Sequence, residues 1–222
     1  FITGAYGQLG ETCINYLKSY FNINSAGRHS SDDGIQLDIT DSKITEKLVV
    51  DIRPDVILNL AAMTNVDGCE TDPEMAEAIN VDGVKNLCKS FDGHFIQIST
   101  DYVFDGIEGP YGEDDGTNPI SVYGQTKLAA DEWLTENHVK TTILRANVVY
   151  GYTKQTKASF VKWVVDSLAD GKPIRVVDDQ WNNPTWTHSI ASVIKVLIET
   201  EAFGLYNYGD KGDMNRVECA QL

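Results

Sequence analysis

The sequence predicts an α/β fold: a doubly wound parallel sheet with a small C-terminal lobe that binds substrate. Strand-like and helix-like segments alternate along the 222 residues, a pattern typical of parallel sheets covered by helices. Residues 55–62 are almost continuously apolar, as expected of a strand buried on both faces. A glycine-rich turn at residues 4–10 connects the first strand to the first helix, which is where folds of this class hold a ligand.

Hydrophobic periodicity places the individual elements in chain order. Strands are expected at residues 1–3, 23–26, 35–38, 55–62, 95–98, 141–145, 173–177 and 205–208. Helices are expected at 9–21, 42–50, 73–91, 123–134, 159–168 and 189–198, with loops at 63–67, 105–119 and 178–185. We therefore assign residues 1–150 to the main domain and 151–222 to the lobe, with segments of the lobe returning to the main domain. The first strand begins abruptly, so the natural protein is expected to extend beyond both ends.

Composition excludes several classes of function. A net charge of −15 argues against a general nucleic-acid binder and against binding to an anionic membrane, because like charges repel. The four cysteines are far apart and form no Cys-x-x-Cys pair, so neither a zinc site nor a disulfide framework is indicated. A cytoplasmic location is the default expectation. No apolar run approaches the roughly 20 residues that span a bilayer.

The turn at residues 4–10 has the spacing Gly-x-x-Gly-x-x-Gly. Glycines allow a pyrophosphate to approach the backbone, and the amino terminus of the following helix offers free N–H groups to it. The turn therefore predicts a dinucleotide-binding Rossmann domain, although three glycines in a loop are common. The turn residues assigned to the cofactor are Gly4, Tyr6, Gly7, Gln8 and Leu9.

The end of the second predicted strand bears on the choice of cofactor. Arg28 lies where a dinucleotide fold selects between NAD and NADP, and an arginine there can pair with the 2′-phosphate of NADP. NADPH is favoured, while Asp32 and Asp33 nearby leave NADH as an alternative. Asp38 and Ile39 are expected at the adenine end, although Asp38 is equally explained as a turn residue before the next helix.

The fourth predicted strand ends in Leu60, Ala61 and Ala62. Small side chains at the carboxyl end of a strand leave room for a cofactor, and ordinary packing would also select them. Asn80 lies inside the following predicted helix. It is expected either to bridge a helix carbonyl to a water near Lys127 or to be a satisfied surface amide.

Three further residues indicate carbonyl chemistry. Thr100 follows a predicted buried strand, and Tyr123 and Lys127 are four residues apart on a predicted helix, so the last two share one face. A hydroxyl, a phenol and an ammonium at one point can move a proton to or from a carbonyl oxygen. Lys127 is expected to lower the pKa of Tyr123. A tyrosine and a lysine on a helix surface are the alternative for this short spacing alone.

These motifs together resemble the extended short-chain dehydrogenase/reductase superfamily and, within it, the dTDP-4-dehydrorhamnose reductases. The matching segments lie at residues 4–10, 37–41, 54–62, 99–106, 122–128, 149–151, 179–180 and 184–185. The resemblance implies that Thr100, Tyr123 and Lys127 form a catalytic triad and that NADPH or NADH delivers hydride to the 4-keto carbon of dTDP-4-dehydro-L-rhamnose. Tyr123 would donate the proton, Thr100 would hydrogen-bond the same oxygen, and Lys127 would hold the nicotinamide ribose.

The resemblance also implies a substrate site. Val66, Asp101 and Tyr102 would lie against the sugar, and the loop at residues 180–185 near the nucleotide. Asn147 is assigned to the pocket wall, which departs from relatives that carry Thr-Ser there. The segment 154–157 contains Lys154, Gln155 and Lys157, which would contact a phosphate or only begin a solvated helix.

Two other functions stay open. One is reduction or epimerisation of another nucleotide sugar, because the triad determines carbonyl chemistry but not the sugar. The other is a non-catalytic NADP-binding subunit that regulates a partner enzyme, as in the methionine adenosyltransferase regulatory subunit, which is similar to this family. The retention of all three triad residues argues against the second. A homodimer is possible.

Overall fold

The computed structural model describes residues 1–29, 34–153 and 159–222. At its centre lies a five-stranded sheet in which every pairing is parallel. In spatial order its strands are β1 (Ile2–Thr3), β4 (Val56–Asn59), β5 (His94–Thr100), β6 (Thr141–Ala146) and β10 (Gly204–Tyr208). The predicted α/β fold with a parallel sheet is confirmed.

A second pair of parallel strands extends this sheet beyond β1. These are β2 (Ala26–Gly27) and β3 (Ile35–Gln36). The N–H of Ile2 donates to the carbonyl of Asn24 at 2.9 Å, and Ile2 forms a parallel bridge with Ser25. The strand order therefore runs β3-β2-β1-β4-β5-β6-β10, and its first six strands follow the 3-2-1-4-5-6 order of doubly wound nucleotide-binding sheets.

Helices cover both faces of the sheet. They are α1 (Gln8–Leu17), α2 (Ser42–Ile52), α3 (Val66–Thr71), α4 (Pro73–Glu77), α5 (Gly83–Cys88), α6 (Val122–Asn137), α7 (Phe160–Ala169), α8 (Thr187–Glu199) and α9 (Arg216–Gln221). The remaining short strands are β7 (Val149–Tyr150), β8 (Trp181–Asn182), β9 (Thr185–Trp186) and β11 (Met214–Asn215). Helices α1 and α8 pack on one face, whereas α2, α5 and α6 pack on the other.

The sheet separates two hydrophobic clusters because successive strand residues point to opposite faces. Phe95 of β5 and Ile143 of β6 belong to the cluster beneath α2, α5 and α6. Their neighbours Ile96 and Leu144 belong to the cluster beneath α1 and α8. These strands are therefore buried on both sides, as central strands of a parallel sheet are.

The predicted strand at residues 173–177 is wrong: this segment has no regular structure and is mostly exposed. Pro173 has no N–H to donate to a ladder, and no neighbouring strand among the described residues pairs with the segment. The predicted loop at 178–185 instead contains β8 and the first residue of β9. Likewise, the predicted loop at 63–67 ends in α3, whose first turn is capped by the side chain of Asn65.

The predicted helix at 73–91 is interrupted. A π-helical turn, Ala78–Asp82, separates α4 from α5, and Asn80 lies within it with only 1% exposure. The surface-amide interpretation of Asn80 is therefore wrong. Its Oδ1 accepts from the N–H of Met63 at 2.8 Å, and its Nδ2 donates to Thr126 Oγ1 at 3.0 Å. The π turn thus ties the end of β4 to helix α6.

Candidate active site

A cavity of about 850 Å³ lies at the carboxyl ends of the central strands, the edge at which doubly wound sheets bind ligands. The glycine turn after β1 lies at one side of it, and the segment around Tyr123 lies at the other. Thr100, Tyr123 and Lys127 all line this one cavity. The structure therefore brings together the phenol, hydroxyl and amine that the sequence placed on separate elements.

The end of β5 positions the hydroxyl. Thr100 is 5% exposed. Its Oγ1 donates to Asp101 Oδ1 at 3.2 Å and accepts from the N–H of Tyr102 at 3.2 Å. The ring of Tyr102 packs edge-on against that of Tyr123, with 5.6 Å between their centroids. The end of β5 and the start of α6 therefore hold the hydroxyl of Thr100 and the phenol of Tyr123 side by side.

The first turn of α6 positions the phenol. Ser121 Oγ accepts from the N–H of Gly124 at 3.1 Å, and Glu70 of α3 accepts from the N–H of Val122 at 2.7 Å. A Cβ on Gly124 would overlap the carbonyl oxygen of Tyr102. Only glycine lets α6 approach the end of β5 this closely.

Burial raises the pKa of Tyr123 well above its ordinary value, and a hydrogen bond with Thr100 offsets this in part. Since this pKa is raised, the expectation that Lys127 lowers it below its ordinary value is wrong. The ammonium of Lys127 donates instead to the carbonyl of Ile98 at 2.7 Å. At neutral pH the phenol keeps its proton, which is the form that a proton donor needs.

Lys127 is a buried cation at 2% exposure. Burial lowers its pKa to about 8, and the nearby carboxylate of Asp131 opposes this shift. Asp131 Oδ2 accepts from Ser99 Oγ at 2.7 Å and from Arg145 Nε at 3.4 Å. Burial raises the pKa of Asp131, while Lys127, Ser99 and Arg145 lower it. The network keeps positive charge beneath the cavity although water is excluded.

The glycine turn is shaped for close approach of a ligand. Gly4 has φ +63°, and a Cβ there would lie 2.5 Å from the backbone N of Ala61. At Gly10 a Cβ would lie 2.5 Å from two backbone carbonyls. No side chain of the described chain caps α1 at Gly7, so the first-turn N–H groups are free for an anion. These features fit the pyrophosphate of a dinucleotide.

Every residue assigned to the cofactor from the sequence lines the cavity. They are Gly4, Tyr6, Gly7, Gln8, Leu9, Arg28, Asp38, Ile39, Leu60, Ala61, Ala62, Tyr123 and Lys127. Asp38 fits both interpretations left open for it, since it lines the cavity and its Oδ1 also accepts from the Thr40 N–H at 3.0 Å. Residues 30–33, which include Asp32 and Asp33, lie outside the described residues, so Arg28 is the residue discussed for cofactor selection that the structure describes.

Three of the four residues assigned to the substrate also line the cavity: Val66, Asp101 and Tyr102. Asn147 is not among its lining residues, whereas its neighbours Ala146 and Val148 are. The backbone N–H of Asn147 bonds to the carbonyl of Tyr208 on β10 at 3.3 Å. The Asn147 backbone is thus tied to β10, and the structure does not bring this residue to the cavity lining. Lys154, Gln155 and Lys157 lie outside the described residues.

Sequence reasoning missed two lining residues from the C-terminal part of the chain. Phe160 at the start of α7 and Arg216 at the start of α9 both face the cavity, with the Arg216 guanidinium 4.8 Å from the ring centroid of Phe160. Neither residue belongs to a motif or follows a predicted strand end. Local sequence carried no signal for them, because their position depends on how the lobe folds over the sheet.

The protein-family model described as the RmlD substrate binding domain matches residues 1–222. The chain belongs to this family. The dTDP-4-dehydrorhamnose reductase of Aggregatibacter actinomycetemcomitans is 34% identical over 217 residues, which cover 93% of this chain and 71% of that protein. The methionine adenosyltransferase 2 subunit beta of Bos taurus is 30% identical over 230 residues, covering 99% of this chain and 69% of that protein.

Among solved structures, the dTDP-4-dehydrorhamnose reductase of Bacillus anthracis in complex with NADP is similar to this chain throughout. The TM-score is 0.89 at 32% identity, and the match covers 99% of this chain and 77% of that one. The relatives thus include both a reductase and a subunit named for another enzyme. Within the described ranges, no helix has the length and apolar character needed to cross a membrane.

Proposed function

We propose that this protein reduces the 4-keto group of dTDP-4-dehydro-L-rhamnose with NADPH, which yields dTDP-L-rhamnose. One observation carries the proposal: Thr100, Tyr123 and Lys127 line the same cavity as a glycine turn that fits a pyrophosphate. The relative from Aggregatibacter actinomycetemcomitans carries the name of this reaction, and the Bacillus anthracis structure contains NADP. Both support the choice of sugar nucleotide and cofactor.

The bound cofactor would supply hydride to the carbonyl carbon. Residues at the glycine turn and along the cavity, from Gly4 and Arg28 to Ala62, would bind and orient it. Tyr123 donates a proton to the substrate oxygen, because its raised pKa keeps the phenol protonated. The Thr100 hydroxyl hydrogen-bonds the same oxygen, and the positive charge of Lys127 stabilises negative charge that develops beside it.

Val66, Asp101 and Tyr102 would contact the sugar. We assign residues 1–150 to the nucleotide-binding domain and 151–222 to the substrate lobe, from which β10 returns to pair with β6 in the main sheet. A cytoplasmic location and a homodimer complete the proposal. The homodimer is testable by light scattering of the purified protein.

The decisive experiment replaces the proton donor. Tyr123→Phe is expected to lower kcat for the 4-keto sugar nucleotide by roughly 100- to 10,000-fold, the usual contribution of a general acid. NADPH affinity, measured by fluorescence titration, should stay unchanged because the ring remains. Tyr20→Phe is the matched control, since Tyr20 is exposed and lies outside the cavity. Wild-type rates in Tyr123→Phe would refute the proposed role.

A regulatory role is the second candidate, because the subunit beta of methionine adenosyltransferase 2 matches 99% of this chain. The same assay separates the two. A regulatory subunit would bind NADPH yet oxidise none with any dTDP-4-keto sugar, and Tyr123→Phe would change nothing measurable. Running a panel of nucleotide sugars with NADPH and NADH also identifies the sugar and tests the contribution of Arg28.

A further inference from the structure

The end of the cavity that holds Thr100 contains an arginine to which no role has been assigned. Arg216 lines the cavity together with Asp101 and Phe160. It lies close enough to Asp101 to lower the pKa of that carboxyl, against the raising effect of burial. The guanidinium therefore lies near Asp101, in the part of the cavity that residues of the C-terminal lobe also line.

Two contacts fix the guanidinium in place, and a strand pairing brings one of its partners close. Strands β8 and β11 pair antiparallel, with Asn215 opposite Trp181, so the residues beside them, Gln180 and Arg216, are neighbours. Arg216 Nε donates to Gln180 Oε1 at 3.0 Å, and its guanidinium carbon lies over the ring of Phe160, 4.8 Å from the ring centroid. A stacked and tethered arginine is pre-organised, so it loses little side-chain entropy on binding a ligand.

One nitrogen of this guanidinium lacks a protein partner among the described residues. Arg216 Nη1 is buried and has no hydrogen-bond acceptor among the described residues. No carboxylate of the described chain pairs with Arg216 within salt-bridge distance, and Glu218 instead bonds the N–H of Asn215 at 2.9 Å. A buried donor without an acceptor is costly, so an acceptor supplied by a ligand would stabilise this arrangement.

The charge at this end of the cavity specifies the ligand. The chain carries a net charge of −15, so an anionic ligand needs a local cation to bind. Lys127 is buried and bonded to Ile98, and Arg28 follows β2 at the other end of the cavity. Of the lining residues that the structure describes, Arg216 is thus the arginine available beside Thr100 and Tyr102. Its planar edge suits two oxygens of a phosphate.

We propose that Arg216 is a specificity residue that binds the diphosphate of the nucleotide-sugar substrate. This inference rests on the proposed function for the identity of the ligand. With the sugar carbonyl beside Tyr123, the diphosphate lies one sugar ring away, towards the lobe that contributes Arg216. Phe160 and Gln180 act as positioning residues that hold the guanidinium at that distance.

The test compares dTDP with thymidine as probes. Binding to the NADP-loaded full chain is measured by calorimetry, which needs no turnover. The wild-type protein should bind dTDP far more tightly than thymidine. Arg216→Gln should weaken dTDP binding by about 10- to 100-fold, the usual value of a charge-assisted pair of hydrogen bonds, and leave thymidine binding within about twofold. In turnover, KM for the sugar nucleotide should rise while kcat changes little.

Two controls keep the result interpretable. Arg175→Gln removes the same charge from an exposed arginine outside the cavity and should bind dTDP as the wild type does. Arg216→Lys keeps the charge but loses the planar edge, so its affinity should be intermediate. If Arg216→Gln does not fold, Arg216→Lys still tests the proposal.

The two proposals fail separately. If Arg216→Gln or Arg216→Lys lowers only the melting temperature while dTDP binding is unchanged, Arg216 is structural and this inference is overturned. The reductase proposal is unaffected by that result. If dTDP binding depends on Arg216 but no dTDP-4-keto sugar is reduced, the diphosphate site stands and the reductase reaction does not.

Discussion

Replacing Lys127 with methionine should inactivate the enzyme and yet stabilise the fold. Lys127 is buried at 2% exposure, and burial lowers its pKa from the ordinary value of 10.5 to about 8. Folding therefore disfavours the charged form of Lys127, which is the form that the proposed mechanism needs. Sites that hold such charges often reduce stability for the sake of activity.

The expected size of this effect follows from the pKa. A decrease from 10.5 to about 8 means that the charged amine costs the folded protein roughly 3 kcal/mol at pH 7. Methionine removes this cost but also removes the hydrogen bond to the Ile98 carbonyl, worth about 1 kcal/mol. Ser99 and Arg145 still pair with Asp131. The net gain is about 2 kcal/mol in the free energy of unfolding, or roughly 4–8 °C in Tm for a chain of this size.

The gain in stability of Lys127→Met over the wild type should also become smaller as the pH rises. Between the folded pKa of about 8 and the ordinary 10.5, the unfolded chain binds more protons than the folded protein, so wild-type stability rises with pH. Lys127→Met lacks this rise. Its advantage over the wild type should therefore shrink by about 2 kcal/mol between pH 7 and about pH 9.5.

Urea unfolding of both proteins at these two pH values provides the test. Lys43→Met, a change at an exposed lysine, is the matched control and should show no pH-dependent gain. A Lys127→Met protein that is less stable than the wild type at pH 7 would show that burial does not disfavour this charge, and the reasoning would be refuted. A gain that is the same at both pH values would contradict the assignment of the gain to Lys127 titration.

Two further predictions concern the support of the site. Asp131→Asn removes the carboxylate that compensates the buried positive charges of Arg145 and Lys127. Urea unfolding should therefore show that the free energy of unfolding falls by roughly 3–5 kcal/mol. A fall below about 1 kcal/mol would count against a stabilising role of the network. Gly124→Ala places a Cβ onto the Tyr102 carbonyl and should push α6 away from β5. We expect kcat to fall far more than NADPH affinity, as measured by steady-state kinetics and fluorescence titration; unchanged kcat would show that the helix position is not critical.

Much of the fold and site was predictable because its signals are local. Strands β4, β5 and β6 are apolar on both faces, and the glycine turn combines a positive φ at Gly4 with a following helix. The spacing of Tyr123 and Lys127 placed both on one helical face. Since parallel strands present their carboxyl ends at one edge, Thr100 could be assigned to the same site.

Other features were not accessible to local reasoning. The π turn at Ala78–Asp82 forms because Asn80 bonds Met63 and Thr126 across elements, and nothing in the local pattern encodes those partners. The raised pKa of Tyr123 was missed for the same reason. The sequence shows that Lys127 is near, but burial is a property of the packed protein, and burial is the largest cause of the raised pKa.

The sequence alone thus determined the α/β class, and it located the turn proposed to bind a dinucleotide and the three residues proposed to carry the carbonyl chemistry, because each depends on residues close together in the chain. The tertiary structure decided which groups are buried, which way Lys127 points, that Asn147 is not part of the cavity lining, and that Arg216 of the last helix reaches the cavity. These properties arise from contacts between distant segments. Dielectric environment and side-chain direction exist only once those segments pack.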